Sequence, residues 1–388
     1  MTHRLRMGVV GMGNAGQAFV PPIQDHPDFV LAAFVEPDEA TRAAQAMRLG
    51  VPGFPDLAGM LATVRLDAVC IASPTEHHPA QALQSIAAGL HVLVEKPMAV
   101  SLDDARAMVR AAGERGVVLL VGHSHSYDMP ILKMRQIVAS GRLGAVRMAH
   151  NWCFTDWVYR PRRPDELSPR TGGGVTLRQG SHQFDILRLV CGGRVRSVRA
   201  RVFDWDRGRP AVGAHCVFLD FEDGVSATAV YNGYGGFQST EWVGGISEWG
   251  FPEPPEGWRV RRRGQASREG GDELAAKRAR AGKVIPERAP YHPCFGLTLV
   301  SCEGGDIRQS PTGLRLYTAE GVEDVDFPAD RSPRSLVLDE FAGAILGHAA
   351  PIHDGRWGLA NLEVCLAVIA SSEQQKEIHL AEQCGVAM

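Results

Sequence analysis

The segment from Gly172 to Leu187, GGGVTLRQGSHQFDIL, contains three side chains whose types and spacing could perform acid–base chemistry. Arg178 lies four residues before His182, and Asp185 lies three residues after it. Residues three and four apart share one face of a helix, so a helix that begins near Thr176 would present all three together. An imidazole has an ordinary pKa of about 6.5 and can accept a proton near neutrality. The spacing alone favours a core histidine satisfied by Asp185, and a proton-transfer site is the alternative.

A second pattern with chemical meaning lies near the N-terminus. The apolar run LRMGVV is followed by GMGNAG, which consists of Gly11, Met12, Gly13, Asn14, Ala15 and Gly16. Glycines at these positions allow a pyrophosphate to approach the backbone at the start of a helix. Glu36 follows twenty residues after Gly16, where an acid accepts hydrogen bonds from the adenosine ribose. Because that carboxylate would repel a 2′-phosphate, the motif favours NAD over NADP.

The elements that position these residues alternate along the first third of the chain. Short apolar runs are separated by amphipathic segments such as DDARAMVRAAGERG, a pattern that predicts a doubly wound parallel sheet covered by helices over residues 1–122. Two later strand ends, ASPTEHH (72–78) and EKP (95–97), face the same crevice, because ligands bind beyond the carboxyl ends of parallel strands. The cofactor contacts predicted there are Ser73, Pro74, Thr75, His78, Glu95 and Lys96.

The remaining chain, residues 123–388, is predicted to form a second domain, since 388 residues exceed one ordinary core. Runs such as AHCVFLDFEDG and VSATAVYNGYGG predict antiparallel strands, with EDG as a hairpin turn. The stretch at about 250–290 breaks this pattern, because it is rich in Lys and Arg and poor in large aliphatic residues. We interpret it as an insertion that could be a lid, or an arm that grips a neighbouring subunit.

Composition narrows the function classes. A formal net charge of -3 favours neither nucleic acid nor an anionic membrane surface as a partner. No apolar run approaches 18 residues, and no signal-peptide core precedes the first glycine motif, so we expect a cytoplasmic protein. The eight cysteines contain no CxxC pair, and His123 and His125 have no third ligand at a recognisable spacing, so we expect no metal.

Taken together, GMGNAG, SPTEHH, EKP, VGHSHSYDMP, SGRLGAV and GGG…GSHQFD resemble the glucose–fructose oxidoreductase, inositol dehydrogenase and rhizopine-catabolism (Gfo/Idh/MocA) family of NAD(P)-dependent oxidoreductases. The resemblance implies a Rossmann domain followed by an α+β domain with a large open, mostly antiparallel sheet. It also implies that the exposed face of that sheet builds a homodimer or homotetramer. By the same resemblance, Lys96 hydrogen-bonds the reacting hydroxyl, His182 is the catalytic histidine, and Asp185 is the acid that accompanies it.

The chain departs from the sugar-oxidising members at several positions. Arg178 stands where those members have aspartate, and HSHSYD replaces a segment that often contains arginine. A further basic loop, WVYRPRRPDEL, stiffened by prolines, could recognise a carboxylate, or it could pair internally with Asp165 and Glu166. The substrate contacts predicted on this basis are His123, His125, Tyr159, Arg160, Arg162, Arg163 and Arg178. Their charge predicts a small anionic substrate.

The basic loop, the GGG…GSHQFD segment and VGHSHS together resemble one subgroup, the phthalate dihydrodiol dehydrogenases. This resemblance implies NAD-dependent oxidation of a cis-dihydrodiol that bears carboxylates. Two alternatives stay open at this point. A sugar or polyol dehydrogenase is expected if Arg178 points away from the pocket, and a non-catalytic nucleotide-binding sensor is expected if the departures mark lost chemistry.

Overall fold

The computed structural model describes residues 4–168, 171–254, 273, 277 and 289–386. The chain divides into two compact units. The first contains the residues up to His123 together with Arg334–Leu362, and the second contains Ser124–Pro333 and Glu363–Val386. Most of the predicted insertion, apart from a few residues at its ends and Glu273 and Lys277, lies outside the described residues.

The sheet of the first unit has six strands, all parallel to their neighbours. The strands are β1 (Leu5–Val10), β2 (Phe29–Val35), β3 (Gly53–Phe54), β4 (Ala68–Ile71), β5 (His91–Glu95) and β6 (Leu119–Gly122). Their order is β3-β2-β1-β4-β5-β6, which is the order of a doubly wound nucleotide-binding sheet. The central strands are apolar and buried because helices cover both faces.

The first unit contains α1 (Asn14–Asp25), α2 (Glu39–Leu49), α3 (Leu57–Thr63), α4 (His78–Ala87) and α5 (Leu102–Arg115). Three of these helices, α2, α3 and α5, begin at residues suited to that position. The side chains of Asp38, Asp56 and Ser101 accept hydrogen bonds from first-turn backbone N–H groups. Gly50 and Gly116 end α2 and α5 in the left-handed conformation that favours glycine.

A late segment of the chain belongs to the first unit, which differs from the predicted continuous second domain. It includes helix α9 (Pro333–Ile345) and the start of helix α10 (Gly355–Gln374). The backbone N–H of Val121 in β6 donates to the carbonyl oxygen of His353 at 2.9 Å. Gly358 also packs against Val121 so closely that a Cβ would lie 2.4 Å from it. The segment therefore covers the β6 edge, a long-range pairing that helix periodicity does not reveal.

The second unit is built on one nine-stranded sheet. Its strands are β7 (Val146–Phe154), β8 (Val195–Phe203), β9 (Ala214–Phe221), β10 (Ser226–Asn232), β11 (Leu297–Cys302), β12 (Gly305–Ser310), β13 (Gly313–Thr318), β14 (Gly321–Asp326) and β15 (Ile378–His379). The order is β14-β13-β12-β11-β7-β10-β9-β8-β15, and every pairing except β7 with β10 is antiparallel. The predicted EDG hairpin turn joins β9 to β10, with Gly224 at a φ of +83°.

One face of this sheet is covered by helices, and much of the other, which we name the open face, is exposed among the residues that the structure describes. The helices of the second unit are α6 (Met129–Ala139), α7 (Pro164–Leu167), α8 (Ser181–Cys191) and the later part of α10. Side chains in β10 alternate between buried and partly exposed, as expected for a sheet with one covered face. Among the helices that the structure describes, none has both the length and the apolar character needed to cross a bilayer.

Candidate active site

The glycine-rich turn after β1 is tight at its base and open at its rim. Gly11 has a φ of +94°, and a Cβ on Gly16 would lie 1.9 Å from the carbonyl oxygen of Gly11. At Gly13 the space is open, since a Cβ there would meet no atom within 4 Å. Asn14 and Ala15 form the first turn of α1 directly after it. This geometry lets a phosphate group approach the backbone at the N-terminus of the helix.

Glu36 follows β2 and faces this turn. Its carboxylate accepts hydrogen bonds from the backbone N–H groups of Met12 at 3.2 Å and Asp38 at 3.1 Å. Arg42 donates instead to the backbone carbonyl oxygens of Glu36 and Pro37, at 2.8 and 3.0 Å. The position predicted for the ribose hydroxyls is therefore acidic, and the nearby arginine is engaged with the backbone.

The two later strand-end segments are joined by His78. Its Nδ1 lies 3.0 Å from the carbonyl oxygen of Pro97, and its Nε2 lies 2.9 Å from the carbonyl oxygen of Ser73. The Ser73 hydroxyl donates to Gln81 at 2.6 Å, and the buried Thr75 forms a short 3₁₀ turn after Pro74. The imidazole thus ties the turn after β4 to the segment after β5.

Lys96 and His123 follow the last two strands of the sheet. Glu95, the buried final residue of β5, accepts a hydrogen bond from the Lys96 backbone N–H at 3.2 Å. The Lys96–Pro97 peptide bond is cis. His123 is buried after β6, with its ring centroid 6.4 Å from that of His353. His123 belongs to the first unit, whereas His125 belongs to the second.

The predicted helix near Thr176 is present, but it opens with a π-helical turn. Residues Thr176–Gly180 form this turn, and α8 continues directly from Ser181. A π turn closes hydrogen bonds between residues five apart, so the four-residue spacing used to group Arg178 with His182 does not apply across it. Arg178 pairs with Asp165 and Glu166, whereas the ring of His182 packs against His125 and Phe295. Asp185 is fully buried in α8.

A buried polar network fixes α8 on the sheet beside His182. Gln183 donates to the side-chain oxygen of Asn151 at 2.7 Å and accepts a hydrogen bond from His215 at 2.8 Å. The other nitrogen of His215 lies 3.2 Å from the hydroxyl of Thr176. Burial lowers the pKa of His215 to about 3, so this imidazole stays neutral at physiological pH. A Cβ on Gly180 would lie 2.9 Å from His215, so glycine is needed for this close approach.

His182 belongs to a compact group that we name the imidazole cluster: His125, Asp128, His182, Glu248 and Phe295. The rings of His125 and His182 meet edge to face at a centroid distance of 4.6 Å. The ring of Phe295 lies 4.5 Å from His125 and 5.0 Å from His182. His125 Nδ1 is 3.0 Å from Asp128 Oδ2, and its Nε2 is 3.6 Å from Glu248 Oε1.

The charges in this cluster favour a protonated His125. Burial opposes its charged form, but the carboxylates of Asp128 and Glu248 outweigh burial and raise the pKa of His125 to about 9. At neutral pH the cluster therefore holds a buried imidazolium beside His182. Such a fixed cation attracts an anionic group.

A cavity of about 510 Å³ in the second unit adjoins the imidazole cluster. Its wall contains Glu248, its neighbour Trp249, and the two residues that flank Phe295 in sequence. Arg160 also lines the cavity, where its Nε is 2.7 Å from Asp156 Oδ1 and its Nη1 is 3.6 Å from Glu248 Oε2. The volume matches that of small-molecule sites.

The remaining predicted arginines form a separate arginine cluster: Arg162, Arg163 and Arg178 around Asp165 and Glu166. Arg163 donates to Asp165 at 2.5 Å. The guanidinium of Arg178 lies 3.9 Å from Asp165 and 3.8 Å from Glu166, and that of Arg162 lies 3.9 Å from Glu166. The sequence allowed this basic loop either to recognise a carboxylate or to pair with Asp165 and Glu166, and the structure shows the pairing. The assignment of Arg162, Arg163 and Arg178 to substrate binding stays a prediction.

Glu166 anchors the arginine cluster to other parts of the unit. Burial opposes its charge, but Lys277 and Arg162 outweigh burial and lower the pKa of Glu166 to about 2. Lys277 pairs directly with the Glu166 carboxylate, and Arg162 stacks over the ring of Trp157 at 4.1 Å. Tyr159 was also predicted to bind substrate, and its hydroxyl group donates a hydrogen bond to the Asp206 carboxylate at 2.8 Å.

For Arg178 the structure predicts a bracing role. Arg178→Ala should lower the free energy of unfolding by about 1 kcal/mol, between the values for exposed and buried ion pairs. It should change the Michaelis constants of a carboxylated substrate and of its neutral analogue by the same factor. Thermal melting and parallel kinetics on the two substrates check this. A selective loss for the carboxylated substrate would return Arg178 to substrate recognition.

The chain is similar to known proteins over nearly its whole length. Residues 5–123 match the model described as "Oxidoreductase family, NAD-binding Rossmann fold", and residues 131–242 match the GFO/IDH/MocA C-terminal domain. The 1-carboxy-3-chloro-3,4-dihydroxycyclohexa-1,5-diene dehydrogenase of Comamonas testosteroni is 34% identical over 96% of both chains. The chain belongs to the Gfo/Idh/MocA oxidoreductase family.

Further family members extend the comparison over the whole chain. A Bordetella bronchiseptica RB50 protein described as a dehydrogenase superimposes with a TM-score of 0.90 at 37% identity, covering 97% of this chain and 100% of that one. The inositol 2-dehydrogenase of Rubrobacter xylanophilus is 29% identical over 80% of this chain and 86% of its own. The protein is thus an NAD-dependent dehydrogenase, and the alternative of a non-catalytic sensor is set aside.

The first unit of this Gfo/Idh/MocA protein fits NAD. The open space at Gly13 and the start of α1 would take the pyrophosphate, and the Glu36 carboxylate would take the ribose hydroxyls. When bound, NAD accepts the hydride released by the alcohol carbon. The tight contact between Gly11 and Gly16 is what keeps this cradle narrow.

Glu36 should make the protein prefer NADH to NADPH. A 2′-phosphate would face the Glu36 carboxylate, while Arg42 is bound to backbone carbonyl oxygens. Fluorescence titration should give tighter binding of NADH, and Glu36→Ala should narrow the difference between the two cofactors. Tighter binding of NADPH by the wild-type protein would remove Glu36 from this role.

Several residues of the imidazole cluster were missing from the sequence prediction. Asp128 lies three residues after His125 in HSHSYD, a spacing that could have indicated the pair. Glu248 and Phe295 flank the segment predicted as an insertion, and their approach to His125 is a long-range contact without a local signal.

Proposed function

We propose that this dehydrogenase oxidises a carboxylated cis-dihydrodiol of an aromatic ring and passes the hydride to NAD. The observation that carries the proposal is the surroundings of His182. A flat ring suits these surroundings, because Phe295 packs against the His182 ring, Trp249 lines the adjoining cavity, and aromatic rings favour edge-to-face and offset stacking contacts. The cations His125 and Arg160 beside these rings suit a carboxylate.

The relative from Comamonas testosteroni supports this substrate class. Its name specifies a cyclohexadiene ring with one carboxyl group, one chlorine and two adjacent hydroxyl groups, and it aligns with this chain over nearly the full length of both. The same combination of ring, diol and carboxylate is what the aromatic wall and the cations would accommodate.

The reaction balances without a further co-reactant. One ring carbon that bears a hydroxyl group loses a hydride to NAD, and that hydroxyl group loses a proton, which gives a cyclic dienone. Transfer of the remaining ring hydrogen to the ketone oxygen then restores the aromatic ring as a catechol. By family resemblance, Lys96 hydrogen-bonds the reacting oxygen and His182 accepts the proton. The proposed base His182 lies beside the His125 cation, at a ring-centroid distance of 4.6 Å.

A sugar or polyol dehydrogenase is the second candidate. The cavity wall also contains acidic and hydroxyl side chains, among them Asp156, Ser239 and Thr240, which could hydrogen-bond several hydroxyl groups. The inositol 2-dehydrogenase relative is named for such a substrate. The pairing of Arg178 with Asp165 and Glu166 also favours this candidate. Against it, two aromatic side chains, Trp249 and Phe295, contact the ring of His125.

NADH formation by the wild-type protein tests the choice. The panel should contain an aromatic cis-dihydrodiol with a ring carboxylate, the same diol without it, and myo-inositol. We expect the highest kcat/KM for the carboxylated diol. Equal kcat/KM for the two diols would remove the carboxylate from the proposal, and a preference for myo-inositol would favour the polyol candidate.

We also propose that the protein forms a homo-oligomer through the open face of the second sheet. Met148 and Phe218 are large, apolar and nearly half exposed there, and the register of β7, β9 and β10 places them on the same face as Trp152. Phe218→Asp should lower the molar mass measured by light scattering. Met47→Asp, which removes an exposed methionine from the first unit, is the matched control and should leave it unchanged. A monomeric wild-type protein would contradict the proposal.

A further inference from the structure

The carboxylate of Glu248 lies between two cationic groups of the second unit. Its Oε1 is 3.6 Å from Nε2 of His125, and its Oε2 is 3.6 Å from Nη1 of Arg160. A tight charge-assisted hydrogen bond measures about 2.7–2.9 Å, so each of these contacts is longer than the optimum. The two cations therefore share the Glu248 carboxylate at distances longer than those of tight hydrogen bonds.

Both cations are held in place by other carboxylates. Asp128 Oδ2 lies 3.0 Å from the second ring nitrogen of His125, and Asp156 Oδ1 lies 2.7 Å from Nε of Arg160. His125, with its pKa raised to about 9, is charged at neutral pH. The position between His125 and Arg160 is consequently pre-organised to bind an anionic group, either from the protein or from a ligand.

Glu248 reaches this position from the tip of a turn. The backbone N–H of Gly250 donates to the carbonyl oxygen of Ser247 at 3.0 Å, so Glu248 and Trp249 occupy the two central positions of a β-turn. An isolated bridge between Ile246 and Pro252 closes the base of this turn. Glu248 and Trp249 both line the cavity of about 510 Å³, so the Glu248 side chain borders open space.

We propose that the position between His125 and Arg160 is the binding site for the substrate carboxylate, and that Glu248 is an internal competitor that leaves it when substrate binds. The proposal rests on the function proposed above and assigns its carboxylate recognition to two named cations. One negative charge replaces another, so both cations remain paired throughout the exchange.

Binding of 3,4-dihydroxybenzoate tests the competition in the full-length protein. A competitor that holds the site nine-tenths of the time lowers the apparent affinity about tenfold. Glu248→Gln keeps the shape of the side chain and removes its charge, so it should bind 3,4-dihydroxybenzoate about tenfold more tightly than wild type by calorimetry. Catechol, which lacks the carboxylate, should bind both proteins equally.

Glu253→Gln is the matched control, because Glu253 lines the same cavity but accepts a hydrogen bond from Thr240 at 3.2 Å. It removes the same charge and should change the affinity for 3,4-dihydroxybenzoate by less than about twofold, since Glu253 does not compete. Melting curves check that both variants fold. Weaker or unchanged binding by folded Glu248→Gln, or equal tightening by both variants, would overturn the competition.

The outcomes separate this inference from the proposed function. If Glu248→Gln tightens 3,4-dihydroxybenzoate selectively while wild type oxidises no carboxylated dihydrodiol, the carboxylate site stands and the proposed reaction falls. If wild type oxidises the carboxylated dihydrodiol and Glu248→Gln tightens nothing, the reaction stands and the competition is wrong.

Discussion

Lys96→Met and His182→Ala should each lower kcat by about 10²–10⁴-fold, the usual contribution of a general acid or base. Lys96 follows the buried strand end at Glu95, and His182 lies against the His125 cation and the Phe295 ring. Neither residue is part of the glycine turn that would hold the pyrophosphate, so the dissociation constant for NADH should change by only a few-fold. Stopped assays of turnover, paired with NADH titrations, separate the two effects.

Two variants elsewhere in the chain, one of a lysine and one of a histidine, are matched controls for Lys96→Met and His182→Ala. Lys133→Met removes a lysine from the surface of α6, where its ammonium donates to Gln136 at 3.0 Å. His379→Ala removes an exposed histidine from β15. Both should retain wild-type turnover. If Lys96→Met and His182→Ala also retain it, with an active substrate in hand, the chemistry is performed elsewhere.

The second large effect is that of alanine substitutions in the glycine turn, and it should differ between Gly16 and Gly13. Alanine usually stabilises a helical position relative to glycine by about 0.5–1 kcal/mol. At Gly16, however, the new Cβ would lie 1.9 Å from the Gly11 carbonyl oxygen. Relief of that clash requires a backbone shift, so Gly16→Ala should lower the free energy of unfolding by about 1–3 kcal/mol and also weaken NADH binding.

Gly13→Ala should weaken NADH binding without loss of stability. Gly13 has a φ of -73°, which alanine adopts readily, and its Cβ would meet no atom within 4 Å. That open space is where the pyrophosphate would approach, so the added methyl group should raise the NADH dissociation constant about tenfold or more. Melting curves and NADH titrations of the two variants check this. Wild-type stability of Gly16→Ala, or wild-type NADH affinity of Gly13→Ala, would contradict this account of the turn.

Local patterns in the sequence were sufficient to predict most of the fold. The glycine motif with Glu36 placed the nucleotide-binding turn, and the EDG turn placed the β9–β10 hairpin, because both depend on residues close together in the chain. The return of Arg334–Leu362 to the first unit could not be predicted, since it depends on contacts with β6 that are far apart in sequence.

The site was predictable to a lesser extent, for a related physical reason. His182 was identified from its motif, but the partner of each charged residue depends on how loops fold. Arg178 pairs with Asp165 and Glu166 because a π turn separates it from His182, and helical spacing assumes a regular α-helix. Likewise Glu248 approaches His125 from a turn more than a hundred residues away in the chain.

We propose that this Gfo/Idh/MocA enzyme converts a carboxylated cis-dihydrodiol to a catechol carboxylate. One anaerobic reaction of the wild-type protein, in which NADH is followed by absorbance and the organic product by mass spectrometry, tests this conversion. We expect one NADH and one catechol carboxylate for each diol consumed, with a kcat/KM above that for the diol without the carboxylate. NADH formation without a catechol product, or a higher kcat/KM for the neutral diol or for myo-inositol, would contradict it.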